Sequence, residues 1–357
     1  MTLPHRPLER ARRKAGPLRR KIAGMASPRS HDRALQDHGK IRPPKPLVFV
    51  RAPGWAGQKH PDLAWLIHGF STRIGGRTTV YQPGEIGKFD LNLGFTDSDD
   101  RKIVAANREL FVNAVTEGKD ILGLVTLRQI HSSLIRRVQA KDVQGFEMPA
   151  ALKGDGLMTG EPGVLLGIQT ADCIPVLLAD RKQRAVAAFH AGWRGTLARI
   201  VENGVGRMRV EFGSRPEDLI ASIGPGIGQC CYAIGEEVQQ EFESQFAYAS
   251  ELFREVYDSD QVRNKYPMLF LTARAPGHSA IGPGMHLDLA EANRRQLLAA
   301  GVKKAAIFMT GECTGCHTDR FFSHRVERGF TGRMMSVIGI ARGGSVRARR
   351  FSRAGND

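Results

Sequence analysis

Two apolar runs near the middle of the chain limit its possible folds more than any other stretch. The runs are GVLLGIQTADCIPVLLAD at residues 163–180 and AVAAFHAGW at residues 185–193, and the polar segment DRKQR joins them. Short aliphatic runs bounded by turn residues predict buried strands, and a polar connection of a few residues predicts a hairpin. Antiparallel neighbours of this kind argue against a purely parallel, doubly wound sheet. We therefore expect mixed β-sheets at the centre of the fold.

Helical and strand patterns alternate on both sides of this centre. Residues 99–115 and 287–302 place apolar side chains at helical spacing, and Gly301 is a suitable C-cap for the second helix. A further helix is expected over about residues 194–212, and the segment IGG at residues 74–76 is expected to be a turn after a strand. The pattern predicts an α/β fold: an α-β sandwich with mixed β-sheets in a single large domain.

The net charge of +16 is concentrated at the two ends of the chain. Residues 1–45 carry +10 and residues 342–357 carry +4, which leaves about +2 for residues 46–341. Because the body is nearly neutral, we expect no nucleic-acid partner. We expect a basic, disordered tail at residues 1–45, a catalytic domain at 46–341 and a basic tail at 342–357. For the first segment, a start at Met25 and an Arg-rich targeting or polyanion-binding role remain open.

The composition favours a soluble protein of the cytoplasm. Hydrophobic residues make up 41% of the 357 residues, which is enough for a sizeable core. No apolar run approaches the roughly 18 to 20 residues of a membrane span, so we expect no membrane partner. The five cysteines are an odd number and no apolar signal core is visible near the N-terminus, so a reducing compartment is expected.

Three residues in or beside small-residue turns could carry chemistry. These are His131 in RQIHSS, Cys173 in TADC and His190 in FHAGW. One thiolate and two imidazoles would make a zinc site with a fourth position left for water or substrate. The spacing leaves two alternatives open: Cys173 could be a packed core thiol, or a nucleophile with His190 as its base.

Charged residues near these positions suit an anionic substrate. Arg73 lies beside two glycines in STRIGG, and Arg194 lies at a predicted helix start in GWRG, where free backbone N–H groups gather. Asp172 precedes Cys173 and could orient a ligand or carry a proton. Each of the two arginines could instead form a structural ion pair, and Asp172 could be a turn carboxylate.

The remaining cysteines form no complete motif. CTGCH at residues 313–317 matches a haem-attachment pattern by letter, but that attachment requires export. Cys313 and Cys316 could also be half of a zinc site or a redox pair. Cys230 and Cys231 are expected to be a poor second half, because neighbours on a strand point to opposite faces.

An ordered set of motifs over about three quarters of the chain resembles the YfiH-type laccase-domain family. These proteins are also called multicopper polyphenol oxidase-like and are now regarded as purine nucleoside phosphorylases. The motifs include HGFSTRIGG at 68–76, LNLG at 91–94, RQIH at 128–131, GDGLMT at 154–159, TADCIPVLL at 170–178, HAGWRGT at 190–196, IGPGIGQCCYAIGEEV at 223–238 and HLDLAEANRRQL at 286–297. Two positions depart from the pattern: His324 replaces a more usual aromatic residue, and Cys316 is a second cysteine in its region.

The resemblance implies a fold, a site and an activity. The implied fold is the sandwich of a cysteine-hydrolase toxin domain, the cytotoxic-necrotizing-factor type. The implied zinc ligands are His131, Cys173 and His190, and the resemblance also implies that Arg73 lies in the active site. The implied reactions are phosphorolysis of adenosine, inosine, guanosine and methylthioadenosine, together with deamination of adenosine.

Copper chemistry is disfavoured by the histidine inventory. One cysteine and two histidines could bind a single copper ion, but an oxygen-reducing laccase also needs paired His-x-His motifs, and the sequence has none. We therefore expect a zinc-dependent purine nucleoside phosphorylase with adenosine deaminase activity, acting as a monomer or weak dimer. The alternatives are a Cys173/His190 hydrolase of amide or muropeptide-like bonds, a copper-dependent phenol oxidase, and a binding partner of a cell-division or envelope protein.

Overall fold

The computed structural model describes residues 46–55, 61–81, 89–256 and 284–343, so the predicted tails lie outside it except for residues 342 and 343. The strands are β1 (Phe49–Val50), β2 (Leu66–Ser71), β3 (Ile74–Thr78), β4 (Gly123–Thr126), β5 (Ile135–Arg137), β6 (Gly156–Thr159), β7 (Val164–Thr170), β8 (Ile174–Asp180), β9 (Val186–Ala191), β10 (Leu219–Ile223), β11 (Ala233–Ile234), β12 (Phe253–Val256), β13 (Gly284–Leu287), β14 (Ile307–Met309) and β15 (Met334–Ile340). The α-helices are α1 (Arg101–Thr116), α2 (Trp193–Leu197), α3 (Ile200–Phe212), α4 (Glu236–Gln245) and α5 (Leu289–Ala299). Within the described ranges, no helix is both long and apolar enough to cross a membrane.

The strands form two large mixed sheets and a small one. The first sheet has the order β1-β2-β15-β7-β4, and only its β4–β7 pair is parallel. The second sheet has the order β14-β10-β8-β9-β6-β5, with parallel pairs at its two edges. The third sheet has the order β11-β13-β12 and is antiparallel. The predicted hairpin is confirmed as β8 and β9, and so is the prediction of mixed sheets.

The packing of alternate residues shows how the sheets are layered. Leu177 of β8 packs in one cluster with Leu166 of β7, so the second sheet faces the first. Val176, on the opposite face of β8, packs in a cluster that includes Val205 of α3 and further residues of α4 and α5. Phe111 of α1 covers the outer face of the first sheet. Because both faces of these strands are covered, their sequences are continuously apolar and not alternating.

Two local predictions are wrong. The IGG segment is the start of β3, and Gly76 is needed there because a Cβ atom would lie 2.2 Å from the carbonyl oxygen of Asp90. The helix expected over residues 194–212 is two helices, α2 and α3. Arg199 between them has a left-handed φ of 56°, and its guanidinium donates to the carbonyl of Gln245, the last residue of α4.

His68 lies in the buried strand β2 with its ring edge-on to that of Trp55, at 5.1 Å between centroids. Neither ring nitrogen has a hydrogen-bond partner in the described part of the chain. Burial, together with the positive charges of Arg51 and Lys119, lowers the pKa of His68 to about 3. The folded protein therefore keeps this imidazole neutral at pH values where the unfolded chain binds a proton.

Acid should destabilise the fold through His68. The contribution of the neutral His68 imidazole to the free energy of unfolding is fully present above the unfolded pKa of about 6.5. It is lost as the pH falls from there towards 3, at roughly 1.4 kcal/mol per pH unit. Denaturant titration should show that the free energy of unfolding falls roughly 1 kcal/mol more between pH 6 and pH 5 for the wild type than for His68→Leu. Equal losses in the two proteins would contradict this assignment.

Candidate active site

The three predicted donors come from three separate segments. His131 lies in the loop between β4 and β5 and has a left-handed φ of 58°. Cys173 ends the short segment 171–173 in which the chain passes from β7 in the first sheet to β8 in the second. His190 lies in β9 opposite Pro175 of β8, so it shares one end of the hairpin with Cys173.

The donor atoms of His131, Cys173 and His190 lie within 4.8 Å of one another. The two imidazole rings meet edge-on, with 4.9 Å between their centroids. Gly192 lets the segments approach, because a Cβ atom there would lie 2.9 Å from Sγ of Cys173 and 3.3 Å from Cδ2 of His131. The structure thus brings together the three residues that the sequence singled out, and their role as metal ligands stays a prediction.

The fully buried Asp155 carboxylate fixes two of these residues. Its Oδ1 accepts from the backbone N–H of His131 and from Nδ1 of His190, both at 2.9 Å. Its Oδ2 accepts from the backbone N–H and the hydroxyl of Ser132, at 2.6 and 2.7 Å. Because Nδ1 of His190 is engaged, Nε2 is the ring nitrogen available to a metal, an arrangement typical of metal-binding histidines.

Sequence reasoning missed Asp155. The residue appears in the motif GDGLMT, but only as part of the family resemblance. It lies 35 residues before His190, so no local spacing connects the two. An acidic residue at the start of an apolar strand is the one signal that could have drawn attention to it, because a buried carboxylate needs partners.

The electrostatics of the site favour a thiolate at position 173. Burial raises the pKa of the Cys173 thiol, but the charge on His190 and hydrogen bonds with both imidazoles outweigh it and lower the pKa to about 6. Burial also raises the pKa of Asp155, while hydrogen bonds from His190 and Ser132 bring it down to about 2. A thiolate with two imidazoles is a donor set that zinc and copper both accept. These residues therefore fit a single metal ion.

The donors open into a cavity of about 600 Å³, which is within the usual range for small-molecule sites. It is lined by Phe95, Arg108, Leu127, Arg128, Gln129, His131, Pro149, Ala150, Gln169, Thr170, Ala171, Asp172, Cys173, His190, Ile227, Tyr232, His324, Arg325 and Arg333. The lining therefore combines aromatic rings, which suit a flat base, with several cations.

Four arginines line the cavity, none with a carboxylate partner in the described part of the chain, and two of them, Arg108 and Arg333, are also withdrawn from solvent. Arg108 donates to the carbonyl of Leu93 and stacks on Phe95 at 4.1 Å, and burial lowers its pKa to about 10. Arg333 donates to the carbonyls of Thr331 and Gly332, and burial also lowers its pKa. Removing a cation from water without a counter-charge is costly, so both positions favour an anionic ligand.

Arg73 does not line this cavity. Its guanidinium is buried and forms a two-pronged ion pair with Asp90, at 3.0 and 2.8 Å, and a second ion pair with Glu327 at 2.9 Å. Burial lowers the pKa of Arg73, but these ion pairs outweigh it and raise the pKa. This geometry favours a structural role, and the prediction that Arg73 contacts substrate has no support from its position.

The other two predicted substrate-binding residues differ in position. Arg194 is exposed on the five-residue helix α2, stacks on Trp193 at 4.2 Å and does not line the cavity. Asp172 does line it and has a left-handed φ of 89°. Its Oδ1 accepts from the hydroxyl of Thr314 and its Oδ2 from the backbone N–H of Arg325, both at 2.7 Å. Asp172 therefore ties two loops to the segment that carries Cys173.

Comparison with known proteins agrees with the motif resemblance. The family model described as multi-copper polyphenol oxidoreductase laccase matches residues 67–341. The purine nucleoside phosphorylase YlmD of Geobacillus stearothermophilus is 35% identical over 302 residues, which cover 82% of this chain and 97% of that protein. The adenosine deaminase RL5, from an unknown prokaryotic organism, is 36% identical over 217 residues, 59% of this chain and 73% of that protein.

A solved structure gives the same result for the fold. The YfiH protein of Bacillus licheniformis has a TM-score of 0.63 and 31% identity, with 78% of this chain and 94% of that chain covered. The family match includes His131, Cys173, His190 and Asp155, the residues that build the site. The chain therefore belongs to the family of multi-copper polyphenol oxidoreductase laccase-like proteins, also known from its YfiH members.

Proposed function

We propose that this chain is a zinc-dependent purine nucleoside phosphorylase that also deaminates adenosine. The observation that carries the proposal is the open set of His131, Cys173 and His190 inside a cavity that also holds Arg108 and Arg333, two arginines withdrawn from solvent without a carboxylate partner in the described residues. Two relatives, one named a purine nucleoside phosphorylase and the other an adenosine deaminase, agree with it. We place the activity in the cytoplasm, in a monomer or weak dimer.

In phosphorolysis, a phosphate oxygen forms a bond to C1′ of the ribose while the bond from C1′ to the purine nitrogen breaks. The electron pair leaves with the purine, which then takes a proton. The chain must hold a dianion in line with C1′ and stabilise the charge that develops. We assign the phosphate to Arg333 and Arg108 and the purine to the part of the cavity lined by Tyr232, beside the metal-binding residues.

The metal-binding residues have a separate role. When bound, zinc would supply a Lewis acid beside the substrate. Asp155 keeps His190 in one tautomer and fixes the loop of His131, so the donor set is held before any ligand enters. Tyr232 and Asp172 close the cavity on the side of Cys173.

Product analysis tests the proposal. The zinc-loaded protein is incubated with adenosine, with and without phosphate, and the products are separated by chromatography. We expect adenine and ribose 1-phosphate only when phosphate is present, and inosine under both conditions. If a fully zinc-loaded protein forms none of the three products, the proposal is wrong.

Arg333→Met should separate the phosphate site from the nucleoside site. Because Arg333 is assigned to the phosphate, its loss should raise the phosphate KM by about tenfold or more, the effect of removing a charge-assisted hydrogen bond of 1.5–3 kcal/mol. The KM for the nucleoside should change little. Arg209→Met, at an exposed arginine of α3, is the matched control. An unchanged phosphate KM in Arg333→Met would show that phosphate binds elsewhere.

A second candidate function is favoured by one observation. Cys173, His190 and Asp155 also have the order of a nucleophile, a base and a carboxylate that orients the base. Such a hydrolase would act on amide or muropeptide-like bonds without metal and would be blocked by a thiol reagent. The zinc enzyme would lose activity to a chelator and regain it with zinc, so one pair of assays decides between them.

A further inference from the structure

Four cysteines that the proposed reaction does not use lie together in two loops. The expectation that Cys230 and Cys231 would be a poor second half of a zinc site rested on placing them on a strand, but they lie in a turn at residues 229–231. In a turn, side chains of neighbouring residues need not point to opposite faces. Cys313 and Cys316 lie in the turn after β14, and the four Sγ atoms are all within 4.8 Å of one another.

We infer that Cys230, Cys231, Cys313 and Cys316 bind a second metal ion, a structural zinc held by four thiolates. This site goes beyond the proposed function and does not depend on it. Four cysteines supplied as two pairs from two loops are the usual donor set of a closed, structural zinc site. None of the four lines the large cavity.

The sulfur positions fit one ion. Three of the Sγ–Sγ distances are 3.3 Å from Cys230 to Cys316 and 3.5 Å from Cys230 to Cys313 and from Cys231 to Cys316. A tetrahedral ion with Zn–S bonds of about 2.3 Å places its sulfurs roughly 3.8 Å apart. A disulfide brings two sulfurs to about 2.05 Å. The observed distances are close to the first value and far from the second.

The loops are built to bring the thiols together. The backbone N–H of Gly228 donates to Sγ of Cys313 at 3.2 Å, which joins the first cysteine loop to the second. A Cβ atom at Gly315 would lie 2.8 Å from Cβ of Cys231, so the second turn has no room for a side chain there. Gly226 also pairs with Cys313 as a parallel bridge between the loops. The backbone therefore fixes the spacing of the two cysteine pairs.

This second site would brace one wall of the active-site cavity. Ile227 and Tyr232 flank the first cysteine pair and line the cavity. Thr314, between the second pair, donates to Asp172, which precedes Cys173. The backbone N–H of Ile227 donates to the carbonyl of Asp172 at 2.7 Å. A metal that joins the loops would thus hold both the wall and the segment that carries Cys173.

Metal content tests the inference. By elemental mass spectrometry of protein purified without chelator, the wild type should hold two zinc ions per chain. The variant Cys173→Ala should keep one, and the double variant Cys230→Ser/Cys316→Ser should also keep one. His317→Ala, at an exposed imidazole in the same turn, should keep two. If Cys173→Ala holds no zinc, the second site does not exist.

Zinc X-ray absorption on Cys173→Ala gives a second measurement that leaves the four cysteines intact. We expect four sulfur ligands at about 2.3 Å. Nitrogen or oxygen ligands, or iron in place of zinc, would overturn the assignment. Disulfides among the four cysteines would also overturn the assignment. Cysteines in disulfides react with an alkylating reagent only after a reductant is added, whereas zinc-bound cysteines react once the protein is chelated and denatured. The absorption measurement decides the inference even if the double serine variant fails to fold, and it does not depend on catalysis.

Discussion

Asp155→Asn should weaken zinc binding at the His131, Cys173 and His190 site by about 10- to 100-fold, the usual cost of losing an outer-sphere carboxylate. Both Asp155 oxygens accept hydrogen bonds, from the backbone N–H groups of His131 and Ser132, the Ser132 hydroxyl and Nδ1 of His190. An amide keeps one acceptor and turns an NH₂ group towards donors. His190 therefore loses the partner that sets its tautomer.

The measurement is competition with a chromophoric chelator. Asp319→Asn, at an exposed aspartate, is the matched control and should bind zinc like the wild type. The same Asp155 variant should also unfold at a lower temperature, because buried donors lose their acceptor. Unchanged zinc affinity in Asp155→Asn would show that the carboxylate does not hold the donor set.

Cys173→Ala should abolish nucleoside turnover, with a fall in kcat/KM of about 100-fold or more, because a Lewis acid contributes several kcal/mol to such reactions. Cys173 is half-buried in a loop, so in the metal-free proteins its loss should change the unfolding temperature little. Under the proposal, the variant also loses one zinc ion. Full activity in Cys173→Ala would contradict a role for this thiol either as a ligand or as a nucleophile.

Sequence patterns predicted the parts of the fold that local periodicity determines. The hairpin of β8 and β9 is confirmed, and so is α1, where Asp100 caps the helix by accepting from the N–H of Lys102. The break at Arg199 was not predictable, because it accompanies a contact of this side chain with Gln245, far along the chain. The layering of the two sheets likewise arises from contacts between strands that are distant in sequence.

Three residues of the candidate site could be singled out from the sequence, by local turn signals together with the family resemblance. His131, Cys173 and His190 lie in or beside small-residue turns, which is a local signal, and the family resemblance grouped them. Asp155 and Arg333 were missed because their significance comes from burial and from partners in other segments. The substrate role predicted for Arg73 could not be weighed from sequence for the same reason, because only the fold reveals its ion pairs with Asp90 and Glu327.

The central claim is that phosphate attacks a purine nucleoside in the cavity beside His131, Cys173 and His190. Inosine tests it most directly, because it has no amino group to remove. The measurement is the release of hypoxanthine by the zinc-loaded protein, with and without phosphate. The proposal predicts hypoxanthine only with phosphate, in an amount equal to the ribose 1-phosphate formed. No hypoxanthine, or its release at the same rate without phosphate, would contradict the claim.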